Sequence, residues 1–232
     1  MKLAIMQPYF FPYLGYFQLI HAADVFVIFD DVNYINKGWI NRNNILVNGK
    51  TNLITLPLKE ANQNKLIKDV ELFDDSRNIE KLLKTIEFNY KKAPFFELIH
   101  PIITDIMTSK LDNISAFNLN AITTICNYLD ISSKIIPSSV IYNNADLKAQ
   151  NRILDICKQE KATQYINPIG GIEIYTKELF ENAGIELNFI KTNFIEYKQF
   201  KNEFIPGLSI IDVLMFNSKE KTKEMLVHFK LI

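Results

Sequence analysis

The sequence has no run approaching the ~20 consecutive apolar residues that a membrane-spanning helix needs, so no membrane helix is expected. It has no excess of basic charge: 26 Lys plus Arg balance 26 Asp plus Glu, which argues against non-specific nucleic-acid binding. It has only two cysteines, Cys126 and Cys157, each on the apolar face of a helical pattern. Two such residues make neither a disulfide framework nor a zinc site, and they read as buried thiols. His21, His100 and His228 lie far apart and form no metal set, so no metal-ligating residues are assigned. No Walker loop, no Gly-x-Gly-x-x-Gly turn and no Ser-His-Asp order is present. The first six residues meet Gln7-Pro8 too soon to form the apolar core of a signal peptide, so the expected compartment is the cytoplasm.

What is present is a strand–helix alternation over 232 residues, 48% of them apolar. Residues 3–6 and 25–29 read as buried strands, and residues 134–136, 164–166 and 186–190 as later ones. Residues 45–47 and 53–56 flank Asn48-Gly49, a strong hairpin signal. Helical spacing marks residues 13–23, 79–90, 95–110, 114–129, 147–159 and 174–183, with Gly184 as a helix-ending glycine. Residues 209–229 read as helical, with a break near Asn217. This pattern predicts one α/β domain over 1–232: an open, mostly parallel sheet with helices on both faces, a β-hairpin, and a helical insert at about 67–130 between the second and third sheet strands.

In such sheets ligands sit beyond the carboxyl ends of the strands. Those ends here carry Gln7 and Tyr9, Asp30 and Asp31, Ser138 and Ser139, Asn167 with Gly170-Gly171, and Lys191 with Asn193. The turn after the first strand, QPYFFPYLGY, holds more aromatic bulk than a turn needs. Tyr9, Tyr13 and Tyr16 offer flat faces with hydroxyls, suited to a sugar or a base; Phe10, Phe11 and Phe17 equally suit a staple for the first helix. A second dense stretch, Lys37 to Asn43, puts Trp39 between Lys37 and Arg42, two fixed cations fit for phosphate or carboxylate. The alternative for this stretch is a solvated loop whose tryptophan plugs the core. Asp30-Asp31 would suit magnesium, or would cap the loop. Ser209-x-x-Asp212 matches a capping box, or a helix N-terminus that holds an anion.

The strings MQPYFFPYLGYFQLI, FDDVNYINKGWINRNNIL, YINPIGGIEIY and LSIIDVLMFN closely resemble the WbqC-like family, in order and over almost the whole chain. That resemblance implies a place in bacterial O-antigen or other surface-polysaccharide biosynthesis, in tailoring an amino sugar. The segment Tyr13-Leu14-Gly15-Tyr16 followed by ADVFVIF is also similar to the opening of the nucleotidyltransferase superfamily. There Gly15 matches the small residue that lets phosphates approach. That superfamily's two histidines are Tyr13 and Tyr16 here, and Lys37 and Arg42 would have to supply the missing charge.

The expected function is acylation or aminoacylation of the amine of a nucleotide-linked amino sugar, with ATP and magnesium as cofactors if a carboxylate is activated. Lys37 and Arg42 would neutralise developing charge. Asp30 or Asp31 would hold magnesium or take the amine's proton. Gln7, Tyr9, Tyr13, Gly15, Tyr16, Trp39, Asn43, Ser138, Asn167, Gly170, Gly171, Ser209 and Asp212 would bind the substrate. The alternative is a non-catalytic module that binds a sugar nucleotide or a partner protein.

Overall fold

The computed structural model describes residues 1–73, 76–201 and 203–232. Its main sheet has six strands in the order β5-β2-β1-β6-β7-β8: β1 (Lys2–Met6), β2 (Val25–Ile28), β5 (Lys134–Ile136), β6 (Gln164–Pro168), β7 (Glu186–Thr192) and β8 (Phe229–Leu231). All neighbours are parallel except β7 and β8, so the fold is α/β with a mixed, mostly parallel sheet. β3 (Arg42–Val47) and β4 (Lys50–Thr55) form a separate antiparallel hairpin. Its turn residues Asn48 and Gly49 both have positive φ, 49° and 73°, as a two-residue turn of this hand requires.

Alternation along the strands sorts their side chains onto two faces. Leu3 and Ile5 of β1 join Val25, Val27, Tyr165 and Phe189 in one core. That core is covered by α5 (Ala149–Gln159) and α6 (Lys177–Asn182). Ala4 joins Phe26, Ile28, Ile166 and Ile190 in a larger core on the other face. There the cover is α1 (Leu14–Ala22), α4 (Ile114–Tyr128), α7 (Ile210–Phe216) and α8 (Lys219–Leu226). A strand buried on both faces has to be apolar throughout, which is why VFVI reads as it does. The helical insert is real: α2 (Ser76–Tyr90), α3 (Phe96–Met107) and α4 lie between β2 and β5. Cys126 and Cys157 are buried free thiols, one in each core.

The carboxy-terminal region departs from the single interrupted helix expected over 209–229. The break falls at Asn217, which is extended (φ −126°, ψ 145°), and Ser218 caps a new helix by accepting from the Lys221 N–H. After α8 the chain becomes strand β8, pairing Leu231 with Ile190. The helix expected over 174–183 is also shorter. It begins only at Lys177, and Ile174 stands 65% exposed before it. Gly184, at φ +73°, ends it as expected. Among the described residues no helix is long and apolar enough to cross a membrane.

Candidate functional site

The chain runs from β1 outward through β2 to β5, then returns to the other side of β1 with β6 and β7. The order reverses between β1 and β6, so the crevice of an open parallel sheet falls beyond their carboxyl ends. The segment that enters it is the aromatic turn between β1 and α1. Its backbone carbonyls are held by side chains from three distant parts of the chain. Asn118 of α4 donates to the carbonyls of Pro8 (3.0 Å) and Ile40 (2.8 Å). Asn43 of β3 donates to those of Phe10 (3.0 Å) and Phe11 (2.8 Å). The Ser209 hydroxyl donates to Phe11 (2.7 Å), and the Ile210 N–H to Pro12 (2.9 Å). The Phe10 N–H donates to the Trp39 carbonyl at 2.9 Å.

So braced, the turn divides its side chains. Phe10, Phe11, Tyr16 and Phe17 are core, and the Tyr16 hydroxyl donates to the Gln7 carbonyl at 2.9 Å. Gln7, Tyr9 and Tyr13 remain half-buried. Tyr13 precedes α1 without capping it, and the first turn of α1 holds no acidic residue. The next residue but one, Gly15, is crowded from above. A β-carbon there would stand 2.3 Å from the Tyr13 ring and 2.4 Å from the Thr192 hydroxyl. Burial, and then Tyr13, push the Tyr9 phenol up to about 12, and burial raises Tyr13 too. Both phenols therefore stay protonated at neutral pH. They can donate and stack, but cannot take a proton.

On the β6 side, Asn167 is buried and its amide donates to the Tyr165 hydroxyl at 2.8 Å. Its Oδ1 lies 2.3 Å from where a Gly171 β-carbon would be, so glycine is what lets the loop close over it. Gly170 is open, with nothing near its missing side chain.

The ends of β2 and β5 are occupied from within. Asp30 accepts from the hydroxyls of Ser115 (2.7 Å) and Ser138 (2.6 Å) and from the Ser139 N–H (3.3 Å). Asp31 accepts from the Ser139 hydroxyl and pairs with the buried guanidinium of Arg152. Arg152 also donates to Asn144 (3.0 Å) and lies over the Phe29 ring at 4.8 Å. Both aspartates are buried with their oxygens engaged, so they do not fit a magnesium ion. Among the described residues no group of three or more His, Cys, Asp or Glu fits a metal.

Around Lys37 the loop folds on itself. Arg42 donates to the carbonyls of Gly38 (3.0 Å) and Lys37, so its guanidinium braces the loop. Lys37 is exposed at φ 59°, and Trp39 is 44% exposed and does not plug the core. Ser209 is fully buried and accepts from the Ile211 N–H. With the amides of Ile210 and Ile211 both satisfied, that helix start offers an anion nothing. Asp212 does not close a capping box. It accepts from Tyr90, Tyr197 and Gln199 inside the protein.

Thus Gln7, Tyr9, Tyr13 and Gly15 come together at the crevice, with Asn43 and the Trp39 backbone as their brace, while Tyr16, expected to bind the substrate, is core with its hydroxyl spent on the Gln7 carbonyl. Asp30, Asp31, Ser138, Ser209 and Asp212 sit in internal networks. Sequence reasoning missed Asn118 and Arg152. Each is a polar residue on the buried face of an otherwise apolar helix pattern, and that was the available signal.

A mostly parallel α/β sheet, with half-buried tyrosines and an uncapped helix start at its reversal point, makes this crevice the candidate site. The chain belongs to the WbqC-like protein family, whose model matches residues 7–224, in agreement with its motifs. It is similar to "Uncharacterized protein Rv1507c" of Mycobacterium tuberculosis (strain ATCC 25618 / H37Rv), 32% identical over 219 residues and covering 93% of each chain. No solved structure matches it.

Proposed function

We propose that this protein binds a nucleotide-linked amino sugar in the β1/β6 crevice and acylates its amine in bacterial surface-polysaccharide biosynthesis. The observation that carries the reading is the start of α1. It has no side-chain cap, no acidic residue in its first turn, and a glycine where a side chain would meet Tyr13 and Thr192. The Tyr16 N–H already donates to the Tyr13 carbonyl at 3.0 Å, so the N–H of Gly15 is the one that would meet a phosphate. Tyr9 and Tyr13 would stack on the base or sugar, with Gln7 donating or accepting beside them. Asn167 would hold the Gly170-Gly171 loop at the far wall. Lys37 is an exposed cation on the loop whose Trp39 carbonyl accepts from the Phe10 N–H, and Arg42 would set that loop.

The test is calorimetric titration with UDP- and dTDP-linked amino sugars, followed by Tyr9→Ala and Gly15→Ala. Losing one stacked ring would weaken binding about 10-fold or more. Gly15→Ala would displace the Tyr13 ring and press on Thr192, weakening binding, so its melting temperature is measured alongside. Unchanged affinity in both variants would remove the crevice from consideration. Once an acyl donor gives turnover, Lys37→Ala and Arg42→Ala should abolish it while the fold survives.

One observation favours a second reading, a non-catalytic binding module. The aspartates expected to act as base or metal ligand are already engaged, and the crevice tyrosines are fixed as donors. Turnover of any acyl donor and amino-sugar pair would eliminate that reading.

A further inference from the structure

A cavity of about 880 Å³ lies away from the crevice, between the end of α2 and the segment before α7. Four lysines line it: Lys91 and Lys92 just after α2, and Lys198 and Lys201 from the other side. Among the described residues no carboxylate lines it, and none of the four makes an ion pair. In a chain of zero net charge, four unpaired cations around one cavity stand out. Lys91 and Lys92 could simply answer the dipole of α2 at its carboxyl end. Lys198 and Lys201 follow no helix, so that account does not reach them.

Three phenylalanines share the rest of the wall with Asn89 and Pro94. Phe88 is 69% exposed, with the Lys91 ammonium 5.6 Å from its ring centre. Phe200 and Phe216 meet edge to face at 4.7 Å. These are phenylalanines, whereas the crevice rings are tyrosines. They offer flat apolar faces without hydrogen-bonding groups, which suits stacking. A second cavity, of about 1130 Å³ beside Phe73 and Phe117, makes a useful contrast. It mixes Lys59, Lys68 and Lys110 with Asp69, Glu71, Glu80 and Asp112, so it has no preference for an anion.

We infer that the lysine cavity is a second ligand site, for a nucleoside diphosphate or triphosphate. Ammonium groups on flexible stems can follow a phosphate chain as point charges, while the phenylalanines take the base. The volume lies within the range of small-molecule pockets. This inference stands whether or not the crevice takes a sugar nucleotide.

The experiment is calorimetric titration with ADP, pyrophosphate and adenosine. The proteins are the wild type, Lys198→Ala/Lys201→Ala, Phe88→Ala and the crevice variant Tyr9→Ala. All four substituted side chains are partly or largely exposed, so the fold should persist, and melting temperature checks this. Expected are an ADP affinity that falls steeply with salt, at least tenfold loss in the double lysine variant, and about tenfold loss in Phe88→Ala. Tyr9→Ala should bind ADP at the cavity as the wild type does. Unchanged ADP binding in the double lysine variant, or loss in Tyr9→Ala alone, would overturn the site. Pyrophosphate binding as tightly as ADP, with no effect of Phe88→Ala, would overturn the nucleotide and leave an anion site.

Discussion

Asp31, just beyond β2, is buried against an arginine; Asp212, in the first turn of α7, is buried with no cation partner among the described residues. Asp31 pairs with Arg152, which donates on to Asn144, which in turn donates to Asp155 at 2.7 Å. The chain of contacts ties β2 to α5. Asp212 is fully buried and accepts from two phenols and an amide: Tyr90 at 2.8 Å, Tyr197 at 2.6 Å and Gln199 at 2.7 Å. Burial raises its pKa, and those three hydrogen bonds oppose the rise. Burial likewise raises both phenols, so they stay neutral donors. The two sites teach different things about cost. An ion pair is expensive to break from one side, whereas a neutral cage tolerates loss of the charge it surrounds.

That contrast can be broken most forcefully at Arg152. Arg152→Ala leaves Asp31 charged and unpaired, and should cost about 3–5 kcal/mol in urea unfolding. A loss under about 1 kcal/mol would mean the pair is solvated after all. The double variant Asp31→Asn/Arg152→Met should be far less damaging than Arg152→Ala alone, because no charge is stranded. Next is Tyr90→Phe. The Tyr90 hydroxyl donates to Asp212 and accepts from the Leu46 N–H at 2.8 Å, so its loss orphans a buried amide of the hairpin. A drop of about 1–3 kcal/mol is expected in the same measurement.

Smallest at neutral pH is Asp212→Asn, expected within about 1 kcal/mol of wild type, since an amide oxygen can still accept from Tyr197 and Gln199. Its value lies in its pH dependence. The folded-state pKa of Asp212 is raised, so the native state holds the proton more tightly than the unfolded chain. The contribution is therefore complete below the ordinary carboxylate range and is lost as pH rises through the raised value. Wild type should lose stability relative to Asp212→Asn across that interval. Stability of the two proteins that stays parallel as the pH rises from the carboxylate range would mean that Asp212 has no raised pKa.

Local pattern revealed the scaffold, and distant pairing hid the rest. β2 is legible because all four of its residues are buried, and the hairpin because Asn-Gly supplies both positive φ angles. β8 is three residues long and exists only through pairing with β7, so no alternation could announce it. The aromatic turn was visibly unusual, but which rings face inward depends on Asn43, Asn118 and Ser209. Asp30-Asp31 looked like free ligands because their partners Ser115 and Arg152 lie 85 and 121 positions away. Ser209 and Asp212 looked like one device because they are three apart, yet Asp212 answers to Tyr90, 122 positions away.

The bracing of residues 8–12 bears on how the protein comes into being. The turn is synthesised before the segments that hold its carbonyls, which wait for β3, then α4, then the start of α7. Contacts of such sequence separation form slowly, because the intervening chain must first be closed into loops. The aromatic turn is thus made before the residues that aim it, and its side chains set only when those have arrived. A nascent chain that stops short of Ser209 would carry the tyrosines with nothing to aim them.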